Sequence, residues 1–315
     1  MTRDKPKISI ITASKNMGRF LRQTIESIQQ QDFTDYEHIL VDGASTDETL
    51  KILEDYQHIR WISEPDKNAD EGFRKALAMA CGQYIMICCV SDGYLDRGWF
   101  RQCAEVLDND PEVSLVYGIG QRMAEEGTLG KIICSDLMKQ SPPQKMDFFP
   151  FWLGTYALSL EITFCVRVDV FKECFPPFES SGHFIRNHPL LGFNYIFNTK
   201  GYLPYFLPVV ASYGRQHHDS YSKKVATRSK VLRDQYRAAV TNYGKEVLSG
   251  TKEHVFRDGR ANVIKKIEPG DLALCRKKVL EYRLNRRAYL GKRPSNILSR
   301  SMEKLKILAG YHLIR

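Results

Sequence analysis

Four apolar runs, each ending on polar residues, alternate with segments of helical periodicity over the first 95 residues. "KISIITASKN" reads as a buried strand running into a polar loop. "MGRFLRQTIESIQQQDF" then sets Phe20, Leu21, Ile25 and Ile28 at helical spacing. "YEHILVDGAST" is a second strand broken by Asp-Gly, and "STDETLKILEDY" opens a helix with Ser45 or Thr46 as its cap and acids in the first turn. "IRWISEPD" is a third strand and "DEGFRKALAMACG" a helix closed by Gly82. "QYIMICCVSDG" follows, its β-branched members Ile85, Ile87 and Val90 suiting a strand buried on both faces. This β-α-β-α-β-α-β order predicts an α/β chain with a doubly wound, mostly parallel, Rossmann-like sheet.

Such sheets take their ligands outside the carboxyl ends of their strands. Three strands here end on polar clusters: Thr12 to Asn16, Asp42 to Thr46, and Ser91-Asp92. The ends share one edge of the sheet, so the clusters converge. That convergence favours a ligand role for Asp92 over the commoner fate of an Asp-Gly pair, a turn or a helix cap. The first loop, "TASKNMG", has neither the Walker nor the dinucleotide glycine spacing, which argues against a kinase or a nicotinamide dehydrogenase. The edge offers acids, hydroxyls and a lysine instead. Asp42 suits a hydrogen bond to a nucleobase or ribose. Asp92 suits a hard divalent cation bridging a diphosphate, since Mg²⁺ takes one or two carboxylates plus phosphate oxygens.

Beyond about residue 110 the alternation weakens. "VSLVYGIGQRM" reads as a strand, "SPPQKMDFFPFWLG" as an aromatic and proline-rich loop, and "YALSLEITFCVRVDVFKECF" as strand then helix. "SKKVATRSKVLRDQYRAAVTNYG" and "DLALCRKKVLEYRLNRRAYLG" read as basic amphipathic helices. The organisation expected is one half of a domain over 1–110, the other half of the same domain over 111–220, and a basic helical extension over 221–315.

The ordered motifs "ISIITASKN", "HILVDGASTDETL", "ISEPDKN" and "CGQYIMICCVSDGYLDRGW" resemble the N-terminal half of family-two glycosyltransferases with the A-type fold, over roughly residues 7–110. The likeness is to the branch that builds bacterial surface polysaccharides. It implies transfer of a sugar from a nucleotide-diphosphate donor, UDP-linked by preference, usually with inversion, to a glycan or lipid-linked glycan acceptor. It also implies that Thr12, Ala13 and Ser14 line the nucleotide pocket and that Asp42 bonds the base. Asp66 and Lys67 would lie near the ribose and diphosphate, with Ser91 beside Asp92, which would bind Mn²⁺ or Mg²⁺. "ASYGRQHHDSYS" resembles the family's downstream Arg-x-His element. There Arg215 would neutralise leaving-group charge and His217 would contact the metal or diphosphate. A solvated polar loop is the bland alternative for both.

Two departures stand out. The family has two acids where this chain has Ser91-Asp92, so a single carboxylate is left and the metal should be weakly held without donor. The family's general base is an acid, yet "RNHPLLGFNYIFNTKGY" puts Asn187 or Leu190 at its place. Neither accepts a proton. Nearby substitutes are His188, His183 and Glu179. A non-catalytic relative that binds a nucleotide sugar or glycan is therefore the competing reading.

The charge is split along the chain. Residues 221–315 carry 24 Lys and Arg against 8 Asp and Glu, whereas residues 1–220 carry 22 against 29. The basic part admits three readings: a solvated helical face, nucleic-acid binding, or docking on an anionic inner leaflet. Nucleic acid is disfavoured because no stacking-aromatic or helix-turn-helix signature accompanies the charge. The eight cysteines lack metal-ligand spacing and several sit inside apolar runs, as reduced thiols do. The N-terminal residues lack a signal-peptide apolar core, and no run reaches the about 18 apolar residues of a membrane span. A cytoplasmic location, peripheral at the inner membrane face, is expected.

Overall fold

A computed structural model of the protein describes residues 5–133, 141–157, 163–175, 189–218 and 226–289. Ile8, Ile10 and Ile11 have no exposure to solvent, because β1 (Ile8–Ser14) runs between two parallel neighbours, β2 (Tyr36–Asp42) and β4 (Tyr84–Ile87). β3 (Ile59–Ser63) extends this parallel set beyond β2. The sheet has nine strands in the order β3-β2-β1-β4-β8-β6-β9-β5, with β7 beside β6. β8 (Phe164–Arg167) is antiparallel to both β4 and β6 (Val113–Ala124), and β6 is parallel to β9 (Leu203–Gln216). The two-residue β5 (Gly93–Tyr94) and the short β7 (Leu129–Ile132) pair antiparallel with β9 and β6.

Alternate residues of β4 serve opposite faces, as the period of two requires. Ile85 and Ile87 pack in one cluster with Ala76 of α3 (Ala69–Met79), whereas Tyr84 and Met86 pack with Trp99 and Phe100 of α4 (Trp99–Asn109). α1 (Gly18–Gln29) buries Phe20, Leu21, Ile25 and Ile28, the stripe expected from its periodicity.

Several local expectations change. β4 stops at Ile87, and the chain turns at Val90 and Ser91 instead of continuing as strand. Ser45 does not cap α2 (Thr49–Glu54); its hydroxyl bonds Asp42, and Asp47 accepts from the Thr49 N–H at 3.0 Å. α3 ends at Met79, before Gly82. Gly82 is needed elsewhere: a Cβ there would lie 2.6 Å from the Ser9 nitrogen, and its N–H donates to Ser9 Oγ at 2.8 Å. The stretch read as an aromatic loop contains α5 (Phe148–Thr155), all eight residues of which are buried.

α5 has that surround because the basic C-terminal part packs on it. α6 (Val168–Cys174) and α7 (Pro189–Thr199) precede β9. α8 (Ala226–Ser249) then turns Leu232, Tyr236, Val240, Tyr243 and Val247 into the same cluster as Trp152, whose indole N–H donates to the Tyr236 hydroxyl at 2.8 Å. A hairpin of β10 (Val255–Arg257) and β11 (Val263–Lys266) leads to α9 (Pro269–Tyr289), which buries Cys275 and Val279. Among the described residues no helix is long and apolar enough to cross a membrane.

Candidate functional site

The carboxyl ends of β1 and β2 are tied together by their loops. The Gly43 N–H donates to the Ser14 carbonyl at 2.8 Å, the Asn16 N–H to Ser45 Oγ at 2.7 Å, and the Thr46 N–H to Asn16 Oδ1 at 2.8 Å. Asn16 sits in the left-handed region at φ 53°, which asparagine tolerates better than most residues. The Gly18 N–H, at the start of α1, donates to Asp47 Oδ2 at 2.9 Å.

Asp42 has no exposure and is fully engaged. Its carboxylate accepts from the Ser45 N–H at 2.8 Å, from the Ser45 hydroxyl, and from Ser63 Oγ at 2.8 Å. A nucleobase N–H would therefore take the place of one of these hydroxyls. Asp66 lies beside it, against Gly43 and Gly72. Burial pushes the Asp66 carboxyl up from its usual value, while Lys15 and Lys75 draw it down. Lys67 is exposed just before α3; its N–H donates to Glu71 Oε2 at 3.0 Å, and Asn68 caps the helix by accepting from the Glu71 N–H.

Of the three β1 residues, Thr12 is wholly buried and its hydroxyl shares a 3.0 Å hydrogen bond with His38 Nε2. Its side chain belongs to the sheet interior, and its contribution to an open pocket would be backbone alone. Burial pulls His38 down to about 3, so the imidazole is neutral. Ala13 faces Gly72, close enough that a Cβ at 72 would lie 3.0 Å from its own. Ser14 is buried, and among the described residues its hydroxyl has no hydrogen-bond partner.

The second half of the site is the Ser91-Asp92 turn. Ser91 is held at φ 93°, a costly conformation for a residue with a Cβ. Its N–H donates to Thr24 Oγ1 at 3.2 Å, and the same hydroxyl donates to the Asp92 carbonyl at 2.7 Å. Asp92 is half-buried, and its Oδ1 accepts the Arg215 N–H at 2.9 Å. Gly93 follows because a Cβ there would fall 2.5 Å from both Ser27 Oγ and the Tyr213 hydroxyl. The apolar run ends on Asp-Gly-Tyr, then, because its last residues are wedged between α1 and β9.

Arg215 is 7% exposed. Its Nε donates to the Ser91 carbonyl at 3.2 Å, Nη1 to the carbonyls of Glu125 at 2.7 Å and Ala124 at 3.3 Å, and Nη2 to Gln23 Oε1. The guanidinium expected at a leaving group thus points into the protein. His217 is 2% exposed and packs on Phe20, ring centroids 4.9 Å apart. Leu190 lies in the first turn of α7, and Glu179, His183, Asn187 and His188 lie outside the described residues.

The structure brings Asp42, Asp66, Ala13 and Ser14 into one cluster and Ser91, Asp92, Arg215 and His217 into a second, which α1 holds through Phe20, Gln23 and Thr24. Sequence reasoning missed Phe20, Gln23, Thr24 and Glu125. The first three sit on α1, where helical periodicity speaks only of burial, and Glu125 had no local signal. Among the described residues no three His, Cys, Asp or Glu side chains gather as a metal cage. One half-buried carboxylate would suit a hard cation that takes its other ligands from phosphate oxygens and water. Asp92 fits a Mg²⁺ or Mn²⁺ ion that arrives with a nucleoside diphosphate.

Residues 9–173 match the profile described as "Glycosyl transferase family 2". The chain belongs to that family. TuaG of Bacillus subtilis (strain 168), named for teichuronic acid biosynthesis, is 35% identical over 135 residues, 41% of this chain and 52% of its own length. The match covers 18% of the length of the chondroitin synthase of Escherichia coli and 52% of TuaG. Among solved structures, S. aureus TarS 1–349 in complex with UDP-GlcNAc has a TM-score of 0.54 at 16% identity, covering 89% of this chain and 72% of that one. The mannosyltransferase PcManGT of Pyrobaculum calidifontis, in complex with GDP-Man and Mn²⁺, has a TM-score of 0.54 at 13% identity, covering 98% and 81%. These two likenesses establish the A-type glycosyltransferase fold.

Proposed function

We propose that the protein transfers a sugar from a nucleoside-diphosphate donor to a glycan acceptor in bacterial surface-polysaccharide synthesis, with inversion and with a divalent cation. The observation that carries this reading is Asp92: a half-buried carboxylate held by a backbone N–H in the turn that follows the central strand β4. Asp42 would take the base edge and Asp66, with Lys67, the ribose and diphosphate. A pyrimidine is favoured because an acceptor at the base edge suits the N–H of uracil. The TarS complex with UDP-GlcNAc and the PcManGT complex with GDP-Man and Mn²⁺ support a nucleotide-sugar donor and a metal.

Bound Mn²⁺ or Mg²⁺ would supply positive charge to the departing diphosphate. The chain's own part is to orient the donor and to take the acceptor's proton, for which His188 and Glu179 are the proposed bases. The basic C-terminal part would bring the enzyme to an anionic membrane face, where lipid-linked acceptors reside.

A binding protein without catalysis is the second reading, favoured by Ser91 at the place of the first acid and by Asn187 or Leu190 at the place of the base. Mass-spectrometric detection of transfer or donor hydrolysis, across a panel of nucleotide sugars with Mn²⁺, separates the two. Donor binding without either product would sink the enzymatic reading.

A further inference from the structure

The Ser91-Asp92 turn is clamped from two sides. From α1, Thr24 accepts the Ser91 N–H and donates to the Asp92 carbonyl. From β9, Arg215 gives its backbone N–H to Asp92 Oδ1 and its Nε to the Ser91 carbonyl. The rest of the guanidinium reaches across to the end of β6, at Ala124 and Glu125, and to Gln23 on α1. The Phe20 ring lies 5.0 Å and the Tyr213 ring 5.8 Å from its central carbon. Four guanidinium hydrogen bonds to protein acceptors leave this cation engaged and shielded. A fork of donors in fixed geometry suits holding several carbonyls at once, which a lysine ammonium could not reproduce. Meanwhile Ser91 occupies a positive-φ conformation that persists only where its surroundings over-determine it.

We propose that Arg215 is a positioning residue that locks the Ser91-Asp92 turn, and with it the direction of the Asp92 carboxylate, instead of meeting the donor's diphosphate itself. This rests on the reading of Asp92 as the metal-side carboxylate. Two consequences separate the roles. A residue that touches the diphosphate contributes to UDP binding with or without metal. A residue that aims Asp92 contributes only to the part of UDP binding that metal adds.

The experiment is calorimetric titration of the full chain with UDP, in Mn²⁺ and in EDTA, alongside thermal melts. Arg215→Lys is expected to cut the Mn²⁺ enhancement of UDP affinity about tenfold and to leave affinity in EDTA within twofold. Thr24→Val, which loosens the same turn with Arg215 intact, should lower the enhancement in the same direction. It also serves if Arg215→Lys melts without cooperativity. Adding Ser91→Gly to Arg215→Lys should restore part of the enhancement, because glycine adopts positive φ without strain. Equal loss in Mn²⁺ and EDTA, with no effect of Thr24→Val and no rescue by Ser91→Gly, would overturn the proposal in favour of a diphosphate contact. The metal reading itself fails by a different result: wild-type UDP affinity indifferent to Mn²⁺, or Asp92→Asn retaining the full enhancement, and the proposal would fall with it.

Discussion

The Asp66 carboxylate stands where a side chain on residue 43 would go: a Cβ there would lie 2.6 Å from Asp66 Oδ2 and 2.9 Å from its Cγ. The glycine of the Asp-Gly pair thus makes room for Asp66 and is not set by its φ, which lies outside the left-handed region. It brings Asp66 beside Asp42 at neighbouring strand ends.

Gly43→Ala should push the Asp66 carboxylate aside at a cost in stability below about 1 kcal/mol, since the atoms it meets are the end of a side chain. UDP affinity should fall with it. Asp66→Asn is expected to act oppositely on stability. Burial raises the Asp66 pKa above its value of 3.8, so the folded state holds the proton more tightly than the unfolded one, and its ionisation weakens folding as pH rises through the carboxylate range. The melting-point gain of Asp66→Asn should therefore be absent near pH 3 and present at pH 7. A gain of equal size at both would show that ionisation of Asp66 is not the cause.

Asp42→Ala removes the acceptor of three donors from Ser45 and Ser63. Loss of a charge-assisted hydrogen bond should weaken UDP binding by about 1.5–3 kcal/mol. Ser63→Ala separates structure from recognition. It should lower the melting temperature yet leave UDP affinity unchanged or higher, because it frees an acceptor for the base. Adenosine diphosphate binding as tightly as UDP would count against this role for Asp42.

Two buried imidazoles, His38 and His254, are pulled down to about 3 by burial. The folded state keeps them neutral, so below their ordinary value near 6.5 the unfolded chain binds more protons. Their contribution is complete above about pH 6.5 and is lost progressively as pH falls toward 3. Urea midpoints should drop between pH 7.5 and 5. His38→Gln, which can still pair with Thr12, should flatten that drop, and an unchanged slope would refute the assignment.

Five of the six large hydrophobic side chains that stand exposed among the described residues lie in the basic C-terminal part: Val231, Val263, Ile264, Leu274 and Leu280. If this surface meets lipid, the full chain should co-sediment with anionic vesicles at low salt and be released as the Debye length falls below about 10 Å. Leu274→Asp with Leu280→Asp should abolish the association. Equal binding to neutral vesicles would argue for a different partner.

For the base, a histidine would make the transfer rate rise through a pKa near 6.5, and an unperturbed glutamate near 4.3. The pH–rate profile, read with His188→Ala and Glu179→Gln, assigns it. Full activity in both variants would remove both residues from consideration.

The parallel half of the sheet, the apolar stripe of α1 and the placing of Asp42 at the end of β2 were legible in the sequence alone. Each depends on residues close together in the chain, where period two or period 3.6 reports directly on burial. α5 was not legible, because a helix buried on every side has no polar face to set a period. Its surround is supplied by α8 and α9, more than 70 residues downstream. Nor could local pattern place β8 antiparallel between β4 and β6, or find that Gly82 makes room for Ser9. The site divides the same way. Sequence could point to Arg215 as a charge near a ligand, but only the fold turned its guanidinium inward and set its N–H on a carboxylate 123 residues away. A side chain's direction is decided by whatever packs against it, and for Arg215 those neighbours come from α1, the Ser91-Asp92 turn and the end of β6.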